Sequence, residues 1–152
     1  MGLVCSKETP VLDLHRINIH DVVYKYKVYV ISCKNDYAYV GMTEGNIEDE
    51  FLKHEGGLIP WTLVHKPDSI KLHKSFQDEC DAKVEETAKT LKLMHLKGID
   101  KVRGGRYPNY LLNKFQTLCL KSELAHNESL CFNCLEKGHY TKNCPLSLSP
   151  QL

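Results

Sequence analysis

The residues with the clearest chemistry lie near the C-terminal end of the chain: Cys131, Cys134, His139 and Cys144, spaced C-x2-C-x4-H-x4-C. Three thiolates and an imidazole are a donor set that Zn²⁺ takes in a closed tetrahedral site, and here they fall within fourteen residues. So short a stretch cannot bury enough surface to order itself, so metal binding and local folding are expected to be one event. The remaining cysteines, Cys5, Cys33, Cys80 and Cys119, are scattered among apolar positions and read as small buried thiols.

The segment CFNCLEKGHYTKNC resembles the zinc knuckle of retroviral nucleocapsid proteins, with Phe132 after the first ligand, Gly138 before the histidine and Tyr140 after it. The resemblance implies that Phe132 and Tyr140 form a platform for an unpaired base while Lys137 and Lys142 meet phosphate, with single-stranded nucleic acid as the ligand. It departs from the family at Leu135, where a glycine usually lets the backbone turn. The plainer reading of the same four ligands is a zinc clip that fastens the tail or binds a protein.

The elements ahead of this cluster are legible in outline. YKVYVISCKNDYAYVGMT reads as two β-rich runs around the turn formers Lys34, Asn35 and Asp36, a hairpin with apolar residues on both faces. Asn46 is placed to cap a short helix through Phe51 and Leu52 that Gly56 and Gly57 would end, and a proline-containing loop follows. Ser69 to Phe76 alternates as a third strand. From Asp81 to about Lys97 the period turns helical, with Val84, Ala88, Leu91 and His95 on one stripe, and Gly98 closes it. A further helix is expected from about Pro108, with Leu111, Phe115 and Leu118 inward, and a polar linker at 126–129.

The hairpin carries a second resemblance. Val28-Tyr29-Val30 and Tyr39-Val40-Gly41, followed by His54, Trp61-Thr62, the Glu85-Glu86 helix, Met94, Gly98-Ile99-Asp100 and Val102 to Tyr107, are together similar to a GIY-YIG nuclease domain of a branch seen in large DNA viruses and microbial eukaryotes. The resemblance covers about residues 26–110 and implies a phosphodiester hydrolase that uses one divalent metal, Mg²⁺ or Mn²⁺. It assigns paired water- and phosphate-handling roles to Tyr29 and Tyr39, the helix histidine to His54 and the metal carboxylate to Glu86. Glu86 shares a helix side with Ala82 and Leu93, whereas Glu85 is explained by an i,i+4 pair with Lys89. Glu50 stands four residues before His54, where the family carries its arginine, and a carboxylate there repels the phosphate an arginine clamps. Arg103 is the leading substitute from the glycine-rich loop, with Arg106 beside it. The alternative is a catalytically degenerate scaffold that binds nucleic acid or a protein partner.

Composition bounds the rest. Of 152 residues 42% are apolar, and a formal net charge of +1 supplies no global field toward polyanions, so nucleic-acid contact must be local. The start MGLVCSKE lacks a signal-peptide core, and a reducing intracellular setting, nucleus or cytoplasm, is expected. Gly2 with Ser6 fits the N-myristoylation pattern and Cys5 is placed for a second chain; membrane contact would require both acylations. The expected organisation is an extension over 1–24, an α/β (α+β) domain over 25–125 with a three-stranded antiparallel sheet flanked by helices, a zinc knuckle over 126–146 and a tail over 147–152.

Overall fold

The computed structural model describes residues 23–146. The acylation pattern at Gly2 and Cys5 and the tail lie outside the described residues. In chain order the elements are β1 (Tyr26–Cys33), β2 (Ala38–Thr43), α1 (Ile47–Glu55), α2 (Pro60–His65), β3 (Pro67–Phe76), α3 (Glu79–Lys97), β4 (Val102–Gly104) and α4 (Lys114–Glu128). Among the described residues no helix is long and apolar enough to cross a membrane.

The architecture is mixed α/β around a single sheet of order β3-β1-β2-β4. β1 pairs antiparallel with both β2 and β3, as the alternation implies. The sheet has four strands, however, not three. Val102–Gly104 adds parallel to β2, with Ala38 opposite Val102 and Val40 opposite Gly104. A three-residue strand inside a glycine-rich run has too few side chains to show a period, which is why it reads as loop from sequence.

The two faces of the sheet make two cores. Val28, Val40 and Ala82 are buried together beneath α3, with Val30, Met42 and Leu93 packed around them. On the other face Tyr29, Ile31 and Cys33 pack with Tyr37, Tyr39, Ile47, Phe51 and Ile70 from the hairpin, α1 and β3. A third cluster, Ala38, Leu91, Met94, Val102, Tyr107, Leu120 and Leu124, joins α3 and β4 to α4.

Helix boundaries follow local chemistry. Asn46 caps α1 by accepting from the Glu48 amide, and Asp78 caps α3 by accepting from the Cys80 and Asp81 amides. Asn113 and Gln116 form a reciprocal capping box that starts α4 six residues beyond Pro108. α4 then continues through His126 to Glu128, absorbing most of the expected linker. The proline loop after Gly57 contains a helix, α2, with Pro60 at its first turn, where a missing N–H loses nothing.

Two expected faces turn outward instead. Val84 and Ala88 on α3 are exposed, and its buried residues are Ala82, Thr90, Leu91 and Met94. Leu111, Phe115 and Leu118 are exposed, with Leu120 and Leu124 inward. Leu111 precedes the Asn113 cap, so that apolar spacing does not lie on one helix and its phase has no structural meaning.

Candidate functional site

Two sites are built on this frame. The first is centred on His54, buried at 1% exposure near the end of α1. Its Nδ1 lies 2.9 Å from Thr62 Oγ1, its Nε2 lies 3.2 Å from the Tyr29 hydroxyl, and Thr62 Oγ1 in turn donates to the Ile59 carbonyl at 3.2 Å. A neutral imidazole donates from one ring nitrogen and accepts at the other, so Tyr29 and Thr62 hold a neutral His54 ring by both nitrogens. Burial drives its pKa down to about 4, despite the opposing charge of Glu50.

Tyr29 owes its place to a strand register. It lies opposite Gly41, and a Cβ at Gly41 would stand 2.4 Å from the phenolic oxygen. The glycine that follows Tyr39-Val40 is thus the floor on which the Tyr29 ring rests. Burial raises the Tyr29 pKa above the usual phenol range, with Glu50, Tyr39 and Glu86 adding negative charge nearby. Tyr39 is held at about 12 by burial and by Glu86. Its ring centroid is 5.0 Å from that of His54.

Glu86 faces the sheet from α3 as its helix side implies. Burial raises its pKa, while a hydrogen bond from the Gly105 amide and the charge of Lys83 lower it. Gly104 and Gly105 let this loop lie close against β2 and α3. With φ of +138°, Gly104 lies so near β2 that a Cβ would stand 2.1 Å from the Val40 carbonyl oxygen, and one at Gly105 would stand 2.7 Å from Thr87 Cα. Glu85 does not pair with Lys89 as the helix spacing suggests; its carboxylate is 2.8 Å from His73 Nε2, across to β3. Tyr29, Tyr39 and His54 therefore meet on the α1 face of the sheet, and Glu86 on α3 is near enough for its charge to act on both tyrosines.

The cations do not join them. Arg103 is buried, with Nε donating to the Asn109 carbonyl at 2.9 Å and Nη1 donating to the carbonyls of Ile99 and Val102 at 2.7 Å. Its guanidinium lies 4.5 Å over the ring of Trp61, whose indole N–H donates to the Ala38 carbonyl. Arg106 pairs with Glu123 at 3.0 Å. Glu50 keeps its carboxylate beside Tyr29 and His54, accepting from Thr43 Oγ1 at 3.0 Å and from Lys53 Nζ at 2.6 Å. The group nearest the Tyr29–His54 pair is thus an acid bridged to a lysine, and the arginines hold loops.

The second site is the cysteine and histidine cluster. The ligand atoms of Cys131, Cys134, His139 and Cys144 all lie within 4.8 Å of one another, and Cys134 Sγ is 3.3 Å from His139 Nε2. A tetrahedron with Zn–S bonds of ~2.3 Å has edges of roughly 3.8 Å, so the four donors fit one tetrahedral ion. Burial opposes ionisation of Cys131, but amides of Cys134 and Asn133 and neighbouring thiols overcome it and lower its pKa to about 6. Burial raises that of Cys134. Metal ligation needs the thiolate, so this asymmetry supplies a first anionic donor. Asn133 also donates to Cys144 Sγ at 3.3 Å.

Leu135 stands at φ of +60° and Gly138 at +94°, the two left-handed turns that fold the loop around the ligands. For a leucine that conformation costs about 1 kcal/mol or more. Phe132 and Tyr140 are 44% and 73% exposed, and Lys137 and Lys142 are exposed beside them.

The sequence marked the four cysteine and histidine residues that the fold draws together and, through a family resemblance, named Tyr29, Tyr39, His54 and Glu86. It gave no role to Thr62, Gly41 or the Gly105 amide. Only the Gly41 signal was within reach, through the alternation that sets Tyr29 and Gly41 in the same hairpin. Comparison with protein-family models, with curated proteins and with solved structures finds no match to this chain.

Proposed function

We propose that this protein binds single-stranded nucleic acid through a zinc-organised C-terminal module carried on a nuclease-like α/β domain. The observation that carries this reading is the pair of solvent-facing rings, Phe132 and Tyr140, presented beside a four-ligand metal cluster with Lys137 and Lys142 at hand. Exposed rings flanked by lysines suit a nucleic-acid strand, because every base offers a face to stack on. Zinc supplies the fold of the module and takes no part in chemistry.

A second reading, endonuclease activity, is favoured by the grouping of Tyr29, Tyr39, His54 and Glu86. Under it Glu86 holds Mg²⁺ or Mn²⁺, and the cation lowers the pKa of water and offsets charge at phosphorus. Tyr29 is already hydrogen-bonded to His54 Nε2, so the pair can relay a proton between the nucleophile and the ring. Against turnover stand the Glu50 carboxylate, which opposes an incoming phosphate, and the engagement of Arg103 and Arg106 elsewhere. The binding reading is therefore the stronger.

Fluorescence anisotropy with labelled single-stranded DNA and RNA tests it. Phe132→Ala with Tyr140→Ala is expected to weaken binding by a factor of ten or more, because stacking is worth about 1–3 kcal/mol per base. Unchanged affinity in the double variant would remove the proposal. A nicking assay in Mn²⁺ decides the second reading: wild-type cutting abolished by Glu86→Ala would establish turnover. Cutting that emerges only in Glu50→Arg would mark the native centre as degenerate.

A further inference from the structure

The cysteine and histidine cluster is joined to the main domain more tightly than a linker would join it. Ser129, the α4 cap, takes a left-handed turn, and the amide of Leu130 still bonds back to the Ala125 carbonyl at 2.9 Å. The first metal ligand, Cys131, follows at once and is fully buried. Leu130 is buried too. Leu135 packs against the cluster formed by Leu91, Met94, Leu120 and Leu124, the core that ties α3 to α4.

Leu135 adopts a backbone conformation that suits glycine, with its amide bonded to the Cys131 carbonyl at 2.7 Å. Glycine would make that turn without strain. What leucine adds is a side chain long enough to reach the core of the neighbouring domain.

We propose that Leu135 is a positioning residue that fastens the metal module to α3 and α4, so that metal occupancy stabilises the whole domain and the Phe132–Tyr140 platform stands at a fixed offset from Glu86 on α3. Met94, which Leu135's cluster includes, lies eight residues along α3 from Glu86, a rise of about 12 Å. One helix therefore carries both that carboxylate and the seat of the platform. A strand stacked on the platform meets the surface around Glu86 as part of the same molecule at high effective concentration. That last step rests on the nucleic-acid reading above; the coupling of metal to domain stability does not.

The chain holds a single tryptophan, Trp61, buried in the main domain, so its fluorescence reports that domain alone. In the full-length protein, stripping zinc with EDTA is expected to lower the Trp61 unfolding midpoint by roughly 5 °C or more. In Leu135→Gly the zinc-to-protein ratio should stay at one while the EDTA-induced shift disappears. Leu135→Met, similar in volume, should retain it. Should the glycine variant fail to fold, Leu135→Ala makes the same comparison and should shrink the shift. A wild-type midpoint indifferent to EDTA, or a Leu135→Gly or Leu135→Ala protein with the full wild-type shift, would overturn the proposal.

The offset is read with two oligonucleotides, one covering only the module and one long enough to reach the surface around Glu86. Leu135→Gly should weaken the long one by about tenfold and leave the short one unchanged. Equal loss on both would overturn the positioning role. If the wild type binds neither, the nucleic-acid reading falls while the thermal result still judges the docking.

Discussion

At the scale of single residues, the hydrogen-bond chain from Tyr29 through His54 and Thr62 to Ile59 makes a specific demand on pH. The native ring takes a proton only near pH 4, against an ordinary 6.5 in the unfolded chain. Between those values the unfolded state binds more protons, so stability present above the upper limit is lost as pH falls through the window. The total is roughly 3 kcal/mol for a ring this fully buried. His54→Gln removes the titrating group, so the gap in unfolding free energy between wild type and variant should narrow from pH 6.5 to pH 4. Parallel pH curves for the two proteins would contradict the burial of a neutral ring at His54. The family resemblance pointed to Tyr29 and His54, and the same chain shows why Thr62 had no such signal. A threonine eight residues from a histidine has no periodic relation to it and becomes a partner only because α2 folds back on α1.

At the scale of elements, α4 separates spacing from burial. Leu120 and Leu124 occupy its inner side, and Phe115 and Leu118, equally apolar, point outward. Leu120→Ala is expected to cost about 2–5 kcal/mol, and Phe115→Ala to stay within about 0.5 kcal/mol of wild type, both by denaturant unfolding. Comparable losses at the two sites would place the helix in the phase that the sequence alone suggests. That phase is illegible from sequence because apolar residues fall on two sides of α4, and the Asn113–Gln116 box that sets its start is a local polar signal beneath a louder apolar one. The hairpin was legible because two β-rich runs flank turn formers, and β3 because polar and apolar residues alternate along it. β4 was not, since its reason for pairing lies in Gly104 and the Val40 carbonyl, distant in sequence. Of the candidate sites, the metal cluster was legible in full because its ligands are local in the chain. The role given to Arg103 was not, because the carbonyls of Ile99, Val102 and Asn109 that occupy it are set by a loop path no spacing rule describes.

At the scale of the whole molecule, a net charge of +1 means that any nucleic acid is held by few phosphate contacts. If Lys137 and Lys142 are the two that matter, the logarithm of the binding constant should fall with the logarithm of salt concentration at a slope of about −1.4 for a single strand. A slope several times steeper would mean that a basic track elsewhere on the surface carries the ligand. The sheet topology also bears on how the molecule comes together. The β1–β2 hairpin and the return of β3 join segments close in sequence, whereas β4 must find β2 across the whole of α1, α2, β3 and α3. Closing so long a loop is the slowest pairing in the sheet. Refolding would then form the β1–β2 hairpin early and close the β2–β4 pairing, with Gly104 set against the Val40 carbonyl, last.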